Sequence, residues 1–134
     1  MKKTVTTSIV YTVLALIGGV FYREFTKFRG FTGETALSVV HTHYLALGMG
    51  VFLLLFLLER SVPFLTAQNR WLLPVYHVGL NLTALMLVVR GVAQVTGAAL
   101  SAGQSAAISG VAGIGHLLLG VSLVLLLVQL RKAA

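Results

Sequence analysis

Residues 40–50 begin a long apolar stretch that contains two closely spaced histidines, and they read Val40-His41-Thr42-His43-Tyr44-Leu45-Ala46-Leu47-Gly48-Met49-Gly50. An ionisable side chain inside a membrane span is costly and needs a specific partner. At 100° per residue, His41 and His43 lie about 200° apart on opposite faces of one helix. They therefore cannot chelate one metal atom from a regular helix, but each can serve a different site.

A glycine follows each of these histidines by seven residues, close to the same helix face: Gly48 follows His41, and Gly50 follows His43. Because glycine has no side-chain bulk, a flat and wide group can lie against that face. The pattern predicts a haem-binding membrane protein in which imidazole is the iron ligand.

The composition is that of an integral membrane protein with one domain. The chain has 134 residues, of which 57% are hydrophobic, and its mean hydropathy is +0.95. Ten Lys and Arg against three acidic residues give a net charge of +7, but the cations are scattered around the apolar segments. This favours contact with lipid headgroups and argues against a nucleic-acid partner. The absence of cysteine excludes thiolate-ligated iron or zinc and thioether-linked haem, so the haem predicted here is of the b type.

Four apolar segments predict an all-α fold, an integral membrane four-helix bundle that forms oligomers. The predicted spans cover about residues 6–22, 36–58, 71–90 and 106–130, close to the roughly 20 residues that cross a bilayer. Residues 91–109 are small and polar, and they form either a loop or an extension of the flanking helices.

An even number of spans places both termini on one side of the membrane. That side carries six cations and the other side four, which favours cytoplasmic termini. The six are Lys2, Lys3, Arg60, Arg70, Arg131 and Lys132, and the four are Arg23, Lys27, Arg29 and Arg90.

The last span repeats the combination of histidine and glycine. Gly113, His116 and Gly120 form one stripe with the imidazole in the middle. In the third span, His77 and Asn81 share a face at i, i+4, and an interhelical hydrogen bond explains this His77 almost as well as a ligand role does.

Depth in the membrane favours one histidine pairing over the others. His41 and His43 lie in the outer half of their span, His116 lies near the middle, and His77 lies in the inner half. The best match is His41 or His43 with His116, with an offset of about three residues, or ~4.5 Å. Pairing of His43 with a histidine of a neighbouring chain stays open.

The polar segment after the first span has two interpretations. Its phenylalanines can anchor at the headgroup level. Alternatively, a cation such as Arg23, Lys27 or Arg29 holds carboxylates such as haem propionates, a role that Arg90 can share.

The sequence His41-Thr42-His43-Tyr44 resembles the His-x-His-Tyr helix of the catalytic subunit of haem-copper oxidases. In that family the two histidines serve two haems on opposite sides of one helix, and the subunit resembles three four-helix units. The resemblance implies that a homotrimer of this chain would imitate one oxidase subunit, with haems between protomers. The copper-site histidine pair of that family is missing here, so the resemblance does not carry over oxygen reduction.

Over its whole length the chain resembles small bacterial four-helix membrane proteins of unassigned function. The resemblance is carried by residues 18–28, by Gly30-Phe31-Thr32-Gly33, and by His41-Thr42-His43 with Leu47-Gly48-Met49. It implies a bacterial inner (plasma) membrane location.

Three functional hypotheses follow. The first is a b-type haem protein with His41, His43 and His116 as iron ligands and His77 as a further candidate, which acts in electron transfer, with a quinone or other redox partner, or in redox or haem sensing. The second is a cofactor-free membrane packing or assembly protein. The third is a small metal-ion transporter with His77 and Asn81 along its path. Oxidoreductase activity is left open.

Overall fold

The computed structural model describes residues 2–134 and consists of four long helices with no strand in that range. The helices are α1 (Lys2–Phe28), α2 (Ala36–Ser61), α3 (Leu72–Thr96) and α4 (Ala102–Ala133). Each is long and apolar enough to cross a membrane. The predicted all-α membrane fold with four helices is therefore confirmed, while its oligomeric state stays a prediction.

Each helix runs antiparallel to the one before it. Gly48 of α2 lies against Tyr11 of α1, whereas His41, earlier in α2, lies against Gly19, later in α1. Likewise, α4 packs against α3 with Gly115 beside Thr83, and Arg90 further along α3 bonds to Ser109 earlier in α4. The start of α1 and the end of α4 are thus at the same end of the bundle, as the even number of spans predicts.

The helices extend beyond the predicted spans by several residues at most ends. The first helix continues from the predicted end near residue 22 to Phe28, and α4 begins at Ala102, where the prediction placed its start near 106. Hydropathy marks only the part that is apolar, whereas a helix continues as long as its backbone bonds and caps are satisfied. At the start of α4, Ser101 and Gln104 form a reciprocal capping box.

Few side chains are fully buried within one chain. The core contains Tyr76 and Leu80 of α3, both at 0% exposure, together with Phe52 of α2 and Leu119 of α4. Long apolar side chains point outward along the helices, and Leu117 of α4 is 67% exposed. Such a surface is suited to contact with lipid or with other copies of the chain.

The second helix is not regular. It begins with a 3-10 turn at Ala36–Val39 and contains a π-helical segment at Tyr44–Gly50. Two hydroxyls donate hydrogen bonds to carbonyls in this segment: Tyr76 to Leu47 (2.7 Å) and Ser8 to Met49 (3.0 Å). Neighbouring helices thus satisfy carbonyl groups at the point where the α-helical bonding pattern is interrupted, which would otherwise be expensive inside a membrane.

Helices α3 and α4 touch backbone to backbone at two glycines. A Cβ atom added to Gly79 would lie 2.5 Å from the amide nitrogen of Leu119, and one added to Gly115 would lie 2.9 Å from the amide nitrogen of Thr83. Small residues at a crossing of membrane helices allow this close approach.

Candidate functional site

The structure brings two of the four histidines together. The ring centres of His43 on α2 and His116 on α4 lie 6.1 Å apart, and the ring planes are nearly perpendicular at 86°. Depth in the membrane predicted His41 or His43 as the partner of His116, and His43 is the one that lies beside His116 in the fold. Whether they bind a cofactor stays a prediction.

Each ring is oriented by the same type of hydrogen bond, from Nδ1 to a backbone carbonyl of its own helix. The Nδ1 of His43 lies 2.8 Å from the carbonyl of Val39, and the Nδ1 of His116 lies 2.9 Å from the carbonyl of Ala112, in each case four residues earlier. Since a carbonyl can only accept, Nδ1 carries the proton, and the neutral ring keeps a lone pair on Nε2. This is the tautomer in which imidazole binds a metal through Nε2, with a carbonyl fixing the ring.

Open space accompanies His116 on α4. A Cβ added to Gly113 or Gly120 would meet no atom of the described residues within 4 Å. An open groove of about 390 Å³ runs along the helix from His116 past Gly120 to Leu125. The glycine stripe predicted around His116 thus borders real space. Gly50 also stays uncrowded, since the nearest atom that the described residues place beside its added Cβ, apart from adjacent backbone, is the Leu45 carbonyl oxygen at 3.4 Å.

The other glycine of the opening motif behaves differently. A Cβ on Gly48 would lie 2.6 Å from both Cβ and Cγ of Tyr11, so helix α1 fills the space that was predicted for a cofactor. His41 and Gly48 do face the same way, but that face is packed on α1. His41 lies over Gly19, and its Nδ1 is buried without a hydrogen-bond partner among the described residues. It therefore lacks the carbonyl contact that orients His43 and His116.

Arg90 and Arg23, two of the cations predicted as carboxylate partners, have different surroundings. Arg90 donates from Nη2 to the hydroxyl of Ser109 (2.7 Å) and to the carbonyl of Ser105 (3.2 Å), both on α4. Ser109 precedes His116 by two helical turns, or about 10 Å, on the same face. Arg23 is highly exposed and lies 3.7 Å from Glu24, its neighbour in sequence.

A family model described as a protein of unknown function, DUF2871, matches residues 1–133. The chain belongs to the DUF2871 family. No curated protein and no solved structure matches it. Membership agrees with the predicted resemblance to a family of unassigned function, and it covers all four helices of this DUF2871 protein.

No three His, Asp or Glu side chains within residues 2–134 of the DUF2871 chain come together in a way that could hold a metal ion. The roles predicted for His41, His43 and His116 as iron ligands at separate sites stay predictions. His41 faces α1 while His43 faces α4, as the 200° separation requires.

A second polar cluster in the DUF2871 chain lies around His77. Its Nδ1 is 2.5 Å from the hydroxyl of Tyr11 on α1. Asn81 donates to the same hydroxyl (3.0 Å) and accepts a hydrogen bond from Tyr44 of α2 (3.1 Å). The i, i+4 spacing identified His77 with Asn81, but no sequence signal linked them to tyrosines on two other helices.

Proposed function

We propose that this protein binds b-type haem within the membrane, with His43 and His116 as the iron ligands, and that it acts in electron transfer or in redox or haem sensing. Bound haem would supply one-electron chemistry. The observation that carries the proposal is the pair of imidazoles 6.1 Å apart, each with Nδ1 tied to a carbonyl.

The spacing of the rings is compatible with one shared metal. With metal–nitrogen bonds of about 2 Å on each side, two imidazole centres on opposite sides of a metal lie roughly 6 Å apart. Two protein ligands are too few for a structural zinc site, which needs four. They suffice for haem, because the porphyrin supplies the other four nitrogens.

The surroundings of His116 also fit a flat cofactor. Gly113 and Gly120 leave the helix surface beside the imidazole clear, and the groove along α4 is lined by apolar side chains such as Leu117 and Val121. A porphyrin has an apolar face that matches such a wall and carboxylate arms that need a cation.

Arg90 is the best-placed cation for those carboxylates. Its Nη2 is anchored to Ser105 and Ser109, two to three turns before His116 on the same face of α4. The guanidinium has five N–H donors, so donors remain for a carboxylate. Arg23, by contrast, lies one helical turn beyond Gly19, the residue that His41 packs over, and its exposed side chain has Glu24 as its partner.

His116 further supports an oligomer. The residue is exposed in the single chain, although it lies in a segment long and apolar enough to span lipid. A polar ring that faces hydrocarbon is costly. A homo-oligomer would cover it, and the oxidase resemblance favours a trimer. We place the protein in the bacterial inner membrane with cytoplasmic termini.

The test is a reduced-minus-oxidised absorption spectrum of the protein purified in detergent after expression with added haem. The wild type should show a Soret band and the α-band of a six-coordinate b-type haem. His43→Gln and His116→Gln should each lose or shift these bands, whereas His77→Gln should keep them. A folded wild-type protein without a Soret band would overturn the proposal.

A cofactor-free packing or assembly protein is the second candidate. Gly48, Gly79 and Gly115 all serve helix contacts, so part of the glycine content is explained by packing alone. On this alternative the bundle should show no haem spectrum, and glutamine at positions 43 and 116 should leave its oligomeric state unchanged.

A further inference from the structure

The polar cluster around His77 lies apart from the histidine pair and involves three helices. Tyr11 of α1 is at its centre, since its hydroxyl contacts both His77 and Asn81. Its ring stacks between those of Tyr44 and His77, with both centre-to-centre distances at 5.6 Å. Polar groups that converge inside a membrane span mark functional sites by default.

This cluster forms one wall of a groove of about 250 Å³ on the outside of the bundle. Tyr11, His77 and Asn81 give the groove a polar side, and Val10 and Leu14 of α1 give it an apolar side. His77 is five residues after the start of α3, about 8 Å along the helix, so the groove is on the half of the bundle that holds both termini.

One hydrogen-bonding atom of the cluster is left available to a ligand. The Nδ1 of His77 is engaged by Tyr11, and one face of the ring stacks on Phe52 with 4.7 Å between centres. His77 Nε2 is not among the buried side-chain atoms that lack a hydrogen-bond partner in residues 2–134. Those atoms are His41 Nδ1 and Thr83 Oγ1. His77 Nε2 makes no hydrogen bond within the described chain and is not fully buried, and His77 lines the groove.

We infer that this groove binds the ring of a lipid-soluble quinone or quinol, with His77 Nε2 hydrogen-bonded to a ring oxygen. A quinone oxygen accepts a hydrogen bond and a quinol hydroxyl donates one. The imidazole can meet either form, because the Tyr11 hydroxyl can donate to Nδ1 or accept from it. The ring would lie between the polar wall and the apolar side chains of Val10 and Leu14.

The chemistry of the groove separates a quinone from a phospholipid headgroup. Its described lining residues carry no Lys or Arg, which a phosphate would require. A neighbouring pocket does contain such cations, because Lys3 and Arg70 line it. The inference deepens the proposed function and rests on it for the redox class of the ligand, but the binding itself does not need haem.

The test uses a photoreactive azido-quinone with a short alkyl tail, added to the full-length protein in detergent and mapped by mass spectrometry. We expect saturable labelling of peptides from residues 6–14 and 72–81, with competition by the unlabelled quinone. His77→Phe keeps the aromatic ring but removes both nitrogens, and should weaken binding about tenfold, the equivalent of one hydrogen bond worth ~1.4 kcal/mol.

Val10→Trp is the second variant, because it fills the groove from an exposed position without touching the core. It should abolish labelling even if His77→Phe fails to fold. His116→Gln should retain labelling, and Val10→Trp should retain any haem spectrum, so failure of this inference and failure of the haem proposal are distinguishable. Labelling that is not saturable, or that Val10→Trp leaves unchanged, would overturn the inference. So would native mass spectrometry showing a phospholipid that Val10→Trp displaces.

Discussion

His43 of α2 and His116 of α4 are neighbours in the fold, with ring centres 6.1 Å apart, and each is oriented by a hydrogen bond to the carbonyl four residues earlier. The two residues are 73 positions apart in the sequence. The Nδ1–carbonyl hydrogen bond that each ring makes leaves the lone pair of the neutral imidazole on Nε2.

Filling the space beside His116 should prevent haem binding without unfolding the protein. Gly113→Leu adds a side chain about 60° from His116 around α4, where nothing in the described chain lies within 4 Å of a Cβ. The Soret absorbance per protein should fall severalfold. Gly110→Leu is the matched control, since Gly110 is equally open but about 120° away from His116. Equal spectra for the two variants would contradict a haem seated beside Gly113.

The contact between α1 and α2 should not tolerate a methyl group at Gly48. An added Cβ would lie 2.6 Å from Cβ and Cγ of Tyr11, atoms too close to the backbone to swing away. We expect Gly48→Ala to destabilise the protein by about 1–3 kcal/mol. Gly110→Ala should instead be neutral or stabilise the helix by up to ~1 kcal/mol. Thermal unfolding in detergent measures the stability of both variants. A lower unfolding midpoint for Gly110→Ala than for Gly48→Ala would contradict this prediction.

The π-helical segment of α2 depends on hydroxyl donors from other helices. Tyr76→Phe removes the 2.7 Å bond to the carbonyl of Leu47 in the bundle interior. Leaving that carbonyl unpaired should cost about 1–3 kcal/mol and speed amide hydrogen exchange in residues 44–50. Tyr22→Phe is the comparison, because Tyr22 lies beside Glu34 and Thr35, away from this segment. Unchanged exchange in Tyr76→Phe would show that the donor is dispensable.

Glu59 should hold the loop between α2 and α3. One carboxylate oxygen accepts hydrogen bonds from the backbone amides of Phe64 (2.5 Å) and Leu65 (2.8 Å). Glu59→Ala removes both bonds and should cost about 1.5–3 kcal/mol, with faster proteolysis in residues 62–71. Glu59→Gln keeps an acceptor oxygen and should be cut more slowly than the alanine variant. Similar cleavage rates for the two variants would mean that the loop is held by other contacts, such as those of buried Asn69.

The sequence predicted many of the residues at the candidate site, but it did not predict which of them are in contact. The two faces implied by His41-Thr42-His43 are real, since His41 packs on α1 and His43 meets α4. The sequence did not indicate which glycines are packed against a neighbouring helix and which border open space. Gly113 and Gly120 border open space, whereas Gly48, which follows His41 by the same seven residues as Gly50 follows His43, is covered by Tyr11.

The amino-acid sequence alone determined that this chain forms four apolar helices with both ends on one side. The physical reason is local: in lipid each backbone group must bond within its own helix, and hydropathy marks where such helices lie. Only the tertiary structure decided that His43 meets His116, that Tyr11 and Tyr44 join His77 and Asn81, and which glycines are packed. Those outcomes depend on the rotation of each helix about its axis and on its neighbours, which side-chain packing between distant segments sets.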